Sequence, residues 1–262
     1  MRPSARIARP RDPTVYPVEE KVGEDILQRW IIELLRPLLQ RWLEDRHVVA
    51  FVGADQFLYW KQHDPHKRVA PDLYVLPGVA PTTHVRSWKT WETDIAPSFS
   101  LEIVSSDWEK DYSEAPPLHE AAGVGELVIF DPAWEERPRG VRWQVFRRVG
   151  KRGLVRVEAT NGDRVRAKAL GIWLRAVGDG RSTRIRIATG PRGDDLVPTA
   201  EESERSERLA KEAERAAKEG ERAAKEAERA AKEAALARVA ELEARLARLT
   251  KPRRPRAPGR SR

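Results

Sequence analysis

The chain has 262 residues, 40% hydrophobic and 34% charged, with no cysteine and a formal net charge of +8. The absence of cysteine excludes disulfide scaffolds and thiolate zinc sites and fits a reducing cytoplasm. No run of 18 apolar residues occurs, so no membrane-spanning helix is expected, and the basic start Met1–Pro10 lacks the apolar stretch of a secretory signal.

Residues 1–14, rich in Pro and Arg, are expected to be disordered. From Gly23 the pattern turns helical. Ile26, Leu27, Trp30, Ile31, Leu34, Leu35, Leu38, Leu39 and Trp42 recur at three- and four-residue spacing, which predicts a helix from Gly23 to about Asp45 with strain at Pro37. Trp30 and Trp42 belong to its buried stripe. Strands are predicted at His47–Phe51 and Gln56–Trp60, then a polar loop over Lys61–Arg68, then strands at Asp72–Leu76 and Ser98–Val104. Asp107–Ala122 reads as a helix interrupted by Pro116 and Pro117, with Gly123 closing it. Further strands are predicted at Glu126–Phe130, Trp143–Arg147, Leu154–Glu158, Ile172–Arg175 and Thr183–Ile187.

From Glu201 the composition changes. Four consecutive heptads, AKEAERA, AKEGERA, AKEAERA and AKEAALA, fill Ala210–Ala237, and Val239, Leu242, Leu246 and Leu249 follow at spacings of three, four and three. Strong helix formers in strict repeat predict a long solvated helix over 201–250, prone to coiled-coil pairing and hence to homo-oligomer formation. Lys251–Arg262 form a basic tail expected to be disordered. Residues 201–262 hold 18 Lys/Arg against 13 Asp/Glu, six of the cations in the last twelve residues. The net charge is therefore chiefly a property of the tail and argues little for nucleic acid at the core.

Two acids stand out. Asp72 and Glu102 each sit inside an apolar strand, where a lone carboxylate costs several kcal/mol unless paired, hydrogen-bonded or bound to a cation. Alternation puts Asp72 on one face with Tyr74 and Leu76, and Glu102 on one face with Ser100 and Val104. On neighbouring strands the two would converge, and hard oxygen ligands of that kind suit Mg2+ or Mn2+. The competing reading has Asp72 capping a turn after Pro71 and Glu102 pairing with an Arg or Lys. The five histidines show no ligand spacing beyond His63 and His66 in a polar loop. Trp60, Trp88, Trp91 and Trp108 lie near the two acids in sequence, and core packing is favoured over base stacking for them.

The segments Val52–Trp60, Val69–Val75, Trp88–Trp91, Leu101–Ser105, Gly123–Pro132 and Leu170–Leu174, with the Ala/Glu/Arg-rich C-terminal helix, resemble the Uma-two family of restriction-endonuclease-like proteins in the PD-(D/E)xK nuclease superfamily. The resemblance covers roughly residues 15–250. It implies an α/β fold, a mixed sheet flanked by helices over 15–190, and divalent-metal-dependent hydrolysis of DNA phosphodiester bonds. It makes Asp72 the acid of the PD element and Glu102 the acid of the (D/E)xK element, both metal ligands with the Ile103 carbonyl, and Glu33 the assisting acid on the first helix. The lysine of the motif is missing. Its position holds Val104, and the alternative position four residues after Asp111 holds Ala115. Lys110 is the nearest substitute. The departure leaves open a degenerate nuclease fold that binds nucleic acid or assembles without cutting.

Overall fold

Amphipathic periodicity in the first helix is realised by α1 (Ile26–Glu44), which buries Ile31, Ile32, Leu35, Leu38, Leu39 and Leu43. The computed structural model describes residues 14–17 and 26–249, so the expected start at Gly23, residues 1–13 and the tail 251–262 lie outside the described residues. Trp30 departs from the buried stripe. It is 44% exposed, one residue off the line of Ile31 and Leu35, with the Arg184 guanidinium 5.1 Å from its ring centroid. The helix closes on His47, in a left-handed conformation at φ 56°, whose N–H donates to the Glu44 carbonyl while that of Val48 donates to Leu43. That closure uses up residues read as strand, and β1 begins later, at Ala50–Gly53.

The strands that follow are β2 (Leu58–Tyr59), β3 (Arg68–Val69), β4 (Leu73–Pro77) and β5 (Trp88–Lys89), then the short helix α2 (Thr90–Thr93) and β6 (Phe99–Ile103). Helix α3 (Trp108–Ala121) leads to β7 (Glu126–Phe130), β8 (Trp143–Arg148), β9 (Leu154–Thr160), β10 (Arg164–Ala167), β11 (Ile172–Val177), β12 (Arg184–Thr189) and β13 (Asp195–Leu196). Of these, β3, β5, β10 and β13 were not expected from the sequence. Each has two or four residues, too few for alternation to register.

A six-stranded mixed sheet in the order β1-β4-β6-β7-β8-β9 forms the centre. Only its β6–β7 pair is parallel. On one face α1 and the antiparallel sheet β10-β11-β12-β13 share a core with Leu73, Val75, Phe99, Leu101 and Ile103. On the other, α3 lies over Leu127, Ile129 and Phe146, while β3-β2-β5 helps cover Tyr74 and Leu76. The architecture is mixed α/β.

Strand β1 is a sheet edge, and α1 covers it with polar side chains spaced four apart. Arg36 Nε donates to the Val52 carbonyl at 3.1 Å. Gln40 donates to the Ala50 carbonyl and accepts from the Val52 N–H. Helix geometry puts residues four apart on one face, so a single stripe satisfies the outward backbone groups of β1. Across the inner side of β1, Gly53 faces Tyr74, and a Cβ there would lie 2.2 Å from the phenol ring.

Helix α3 runs unbroken through Pro116 and Pro117, contrary to the interruption expected. The two rings deprive the Tyr112 and Ser113 carbonyls of their intrahelical donors, a cost of about 3 kcal/mol or more for an interior proline. Packing outweighs it: Trp108, Tyr112, Ala115 and His119 form one stripe against the sheet. Gly123, at φ 83°, ends the helix. Its N–H donates to Glu120 and that of Val124 to His119.

The chain divides into two compact units, residues 1–197 and 198–262. The second contains α4 (Ala200–Leu249), 50 residues long. A capping box starts it, the Thr199 hydroxyl accepting from the Glu202 N–H and the Glu202 carboxylate from the Thr199 N–H. Ion pairs four residues apart, including Glu214–Lys218, Glu221–Lys225 and Glu228–Lys232, run along it.

Candidate active site

The antiparallel register Leu73↔Leu101, extended by one pair, sets Asp72 opposite Glu102. The two acids thus meet across one ladder, as the alternation argument requires. Asp72 Oδ2 accepts the Ile103 N–H at 2.5 Å, so the side chain continues the sheet's bonding where β4 begins, and it does not cap a turn. Burial pushes the Asp72 carboxyl well above the ordinary carboxylate range; the Glu102 charge adds to this and the Ile103 N–H opposes it. Glu102 is raised for the same first reason, with Asp111 and Asp55 adding to it.

Glu102 has a partner, and it is neither Arg nor Lys. Its Oε1 lies 2.6 Å from Nε2 of His119, which is fully buried on the last turn of α3. Burial pushes the His119 pKa down to about 3, so the ring is neutral at pH 7. Nδ1 of the same ring has no hydrogen-bond partner among the described residues. Sequence reasoning passed over His119 because it looked only for ligand spacing among histidines. The available signal was the helix stripe: residues 108, 112, 115 and 119 fall on one face, and the same four-residue step that runs from Asp111 to Ala115 reaches His119 next.

The turn after β6 is held from two sides, by Asp111 and Arg137. Asp111 accepts both the N–H and the hydroxyl of Ser105, at 2.7 and 2.8 Å. Arg137 donates to the Ser105 carbonyl and sits 3.0 Å from the buried Asp131. Tyr112 donates its hydroxyl proton to Asp131 at 2.6 Å. Asp111 therefore serves as a brace for the segment that carries Glu102.

Beside Asp72 opens a cavity of about 820 Å³, lined from α1 by Gln28, Glu33, Arg36 and Gln40, from β1 by Val52 and from the bend after it by Asp55. Glu33 faces it while paired at 2.8 Å with Arg29 at the surface. The Ile103 carbonyl accepts the Gln28 amide at 2.5 Å. Lys110 is exposed on the first turn of α3 and does not line this cavity. Val104 is buried and Ala115, on the inner face of α3, packs against the same cluster, so both expected lysine positions hold apolar side chains. Trp88 is buried, and Trp60 and Trp108 pack against the core.

The donor set can be weighed against a hard divalent cation. Neither acid is paired with a Lys or Arg among the described residues, and both are raised by burial with further acids adding to it. Two such carboxylates and a backbone carbonyl match Mg2+, which keeps several of its own waters. Among the described residues there is no cluster of three or more His, Asp or Glu arranged as ligands.

The model of the Uma2 family, described as "Putative restriction endonuclease", matches residues 18–178. The chain belongs to that family. Among solved structures it is similar to a protein from Anabaena variabilis described as a putative nuclease belonging to DUF820, with 13% identity, 58% of this chain and 78% of that chain covered, and a TM-score of 0.38. That likeness is too shallow to bear on function. No curated protein matches the chain. Among the described residues no helix is long and apolar enough to cross a membrane.

Proposed function

We propose that this chain is a metal-dependent endonuclease that hydrolyses DNA phosphodiester bonds. The observation that carries the reading is the pair of acids facing each other across β4 and β6 with no Lys or Arg paired to either among the described residues. Asp72, Glu102 and the Ile103 carbonyl are the set that would hold Mg2+ or Mn2+. A bound divalent cation supplies Lewis acidity there, acidifying water and stabilising negative charge on phosphate.

The chain's own groups have separate tasks. The Ile103 N–H fixes one oxygen of Asp72 and leaves the other for the cation. His119 orients Glu102 through Nε2, and its neutral ring adds no repelling charge. Glu33 borders the cavity as the auxiliary acid, and Lys110, exposed at the start of α3 and outside that cavity, would have to swing toward the phosphate to serve the anionic transition state. Asp72→Ala abolishes cleavage of duplex DNA in Mg2+ or Mn2+, a loss on the order of 10²–10³-fold or more for a principal electrostatic group, with the thermal melt near that of the parent. Cleavage surviving in a clean preparation of that variant would falsify the assignment.

A second reading has its own support. Val104 and Ala115 occupy the lysine positions and Glu102 is already bonded to His119, which suits a fold that binds nucleic acid or assembles without cutting. Saturable Mn2+ binding lost in Glu102→Gln favours the enzyme. Binding that is confined to the basic tail, falls with salt and ignores metal favours the module.

A further inference from the structure

The cavity beside Asp72 contains two guanidinium groups, and they differ. Arg29 is engaged with Glu33 at 2.8 Å. Arg36 is anchored through Nε alone, on the Val52 carbonyl, and among the described residues its two terminal nitrogens take no hydrogen bond and no ion pair. Its side chain nevertheless has one place to go, because that bond to β1 pins the guanidinium at the cavity wall.

Charge is unevenly distributed around that space. Asp55 and Asp72 line it from the sheet side. Gln28 and Gln40, one to two turns of α1 from Arg36, are neutral hydrogen-bonding groups. A phosphodiester entering against Asp72 therefore meets Asp55 and Asp72 on one side and, on the α1 side, Glu33 paired with Arg29 beside a permanently charged, planar donor with spare N–H groups. Arginine with its Nε already satisfied presents its terminal nitrogens as a pair, which suits two oxygens of one phosphate.

We infer that Arg36 is a phosphate-binding residue that grips the nucleic-acid backbone next to Asp72, in a chain with Val104 and Ala115 at the positions expected for a motif lysine. The inference rests on the reading of Asp72 as the edge of a nucleic-acid site. It differs from it in mechanism: Arg36 acts on binding and register of the backbone, whereas the acids act on the bond broken. The residue does double service, since the same side chain covers the edge of β1.

The experiment uses the full chain and a labelled DNA duplex in EDTA, where no cleavage occurs, with affinity measured by fluorescence anisotropy over a series of KCl concentrations. Arg36→Gln is expected to weaken binding and to make the slope of log affinity against log salt shallower by about one unit, the signature of one lost phosphate contact. Arg36→Lys is expected to restore the slope while leaving affinity below the parent, because charge returns without the planar pair of donors. Gln40→Ala removes another cover of β1 with no change of charge and leaves the slope at the parent value. An unchanged slope in Arg36→Gln, in protein that melts as the parent does, overturns the inference. So does an equal change of slope in Gln40→Ala, which would trace the effect to the β1 edge. Cleavage by the parent in Mn2+ is scored separately: cleavage with an unaltered slope sinks Arg36 alone, and an altered slope without cleavage sinks the endonuclease alone.

Discussion

The β-rich unit and the helix α4 are held together by different physics. In the first, Trp143 is fully buried with its ring centroid 4.3 Å from that of Phe130, and contacts come from strands far apart in sequence. In the second, Leu242 and Leu246 remain 49% and 64% exposed, and the described interactions are capping groups and ion pairs three or four residues apart. One unit depends on tertiary burial; the other depends on local propensity. The difference explains where chemistry sits. Burial raises a carboxyl above its ordinary range only where water is excluded, and the described residues of α4 are almost all exposed.

Substitutions can break that contrast. Trp143→Ala is expected to cost the β-rich unit about 3–5 kcal/mol, while Leu242→Ala in α4 costs within about 0.5 kcal/mol. Chemical denaturation read by tryptophan fluorescence for the first and by far-ultraviolet dichroism for the second gives both numbers. Trp143→Phe should cost far less than the alanine change, because the indole N–H has no partner among the described residues to lose. A comparable loss in Leu242→Ala would mean that the helix is held by packing after all.

Smaller is the effect of Gly220→Ala, which puts a methyl group into open space in the middle of α4. Helix propensity predicts a gain of about 0.8–1.0 kcal/mol, visible as a higher midpoint of the helical signal on heating and as no change in the fluorescence of the β-rich unit.

Smallest is a dependence on pH. Hydrogen bonds from Arg164 hold the carboxyls of Asp163 and Asp194 below their ordinary range. Both are ionised in the fold where the unfolded chain would begin to take up protons, so the stability they add is complete above their unfolded pKa and is lost as pH falls through the lower folded values. Water reaches both, at 41% and 53% exposure, and the loss is small. Melting curves between pH 5 and pH 3 should be slightly steeper in pH for the parent than for Arg164→Gln; identical slopes contradict the assignment.

The sequence shows much of the site because alternation in strands is a strong local signal. Asp72 and Glu102 could be placed on matching faces from two apolar runs, and the observed register is the one that lets them meet. Their bonds could not be read in the same way. That Ile103 donates to Asp72, and that His119 rather than a cation answers Glu102, depends on the order β4-β6-β7 and on where α3 crosses it. Helix α3 also shows how local rules are overruled: Pro116 and Pro117 predict a break, and the burial of Tyr112 and His119 carries the helix through. Trp30 errs the other way, since hydrophobic character alone cannot tell the inner edge of a stripe from its rim.

The polar stripe of α1 over β1 has a consequence beyond the site. Left bare, the outward carbonyls of Ala50 and Val52 and the Val52 N–H would offer a template on which an extended segment of a second molecule could add itself as another strand. Gln40 and Arg36 occupy those groups already. The same helix that borders the proposed substrate cavity thus guards the chain against edge-to-edge growth into aggregates, and variants stripped of both side chains should be the ones that precipitate.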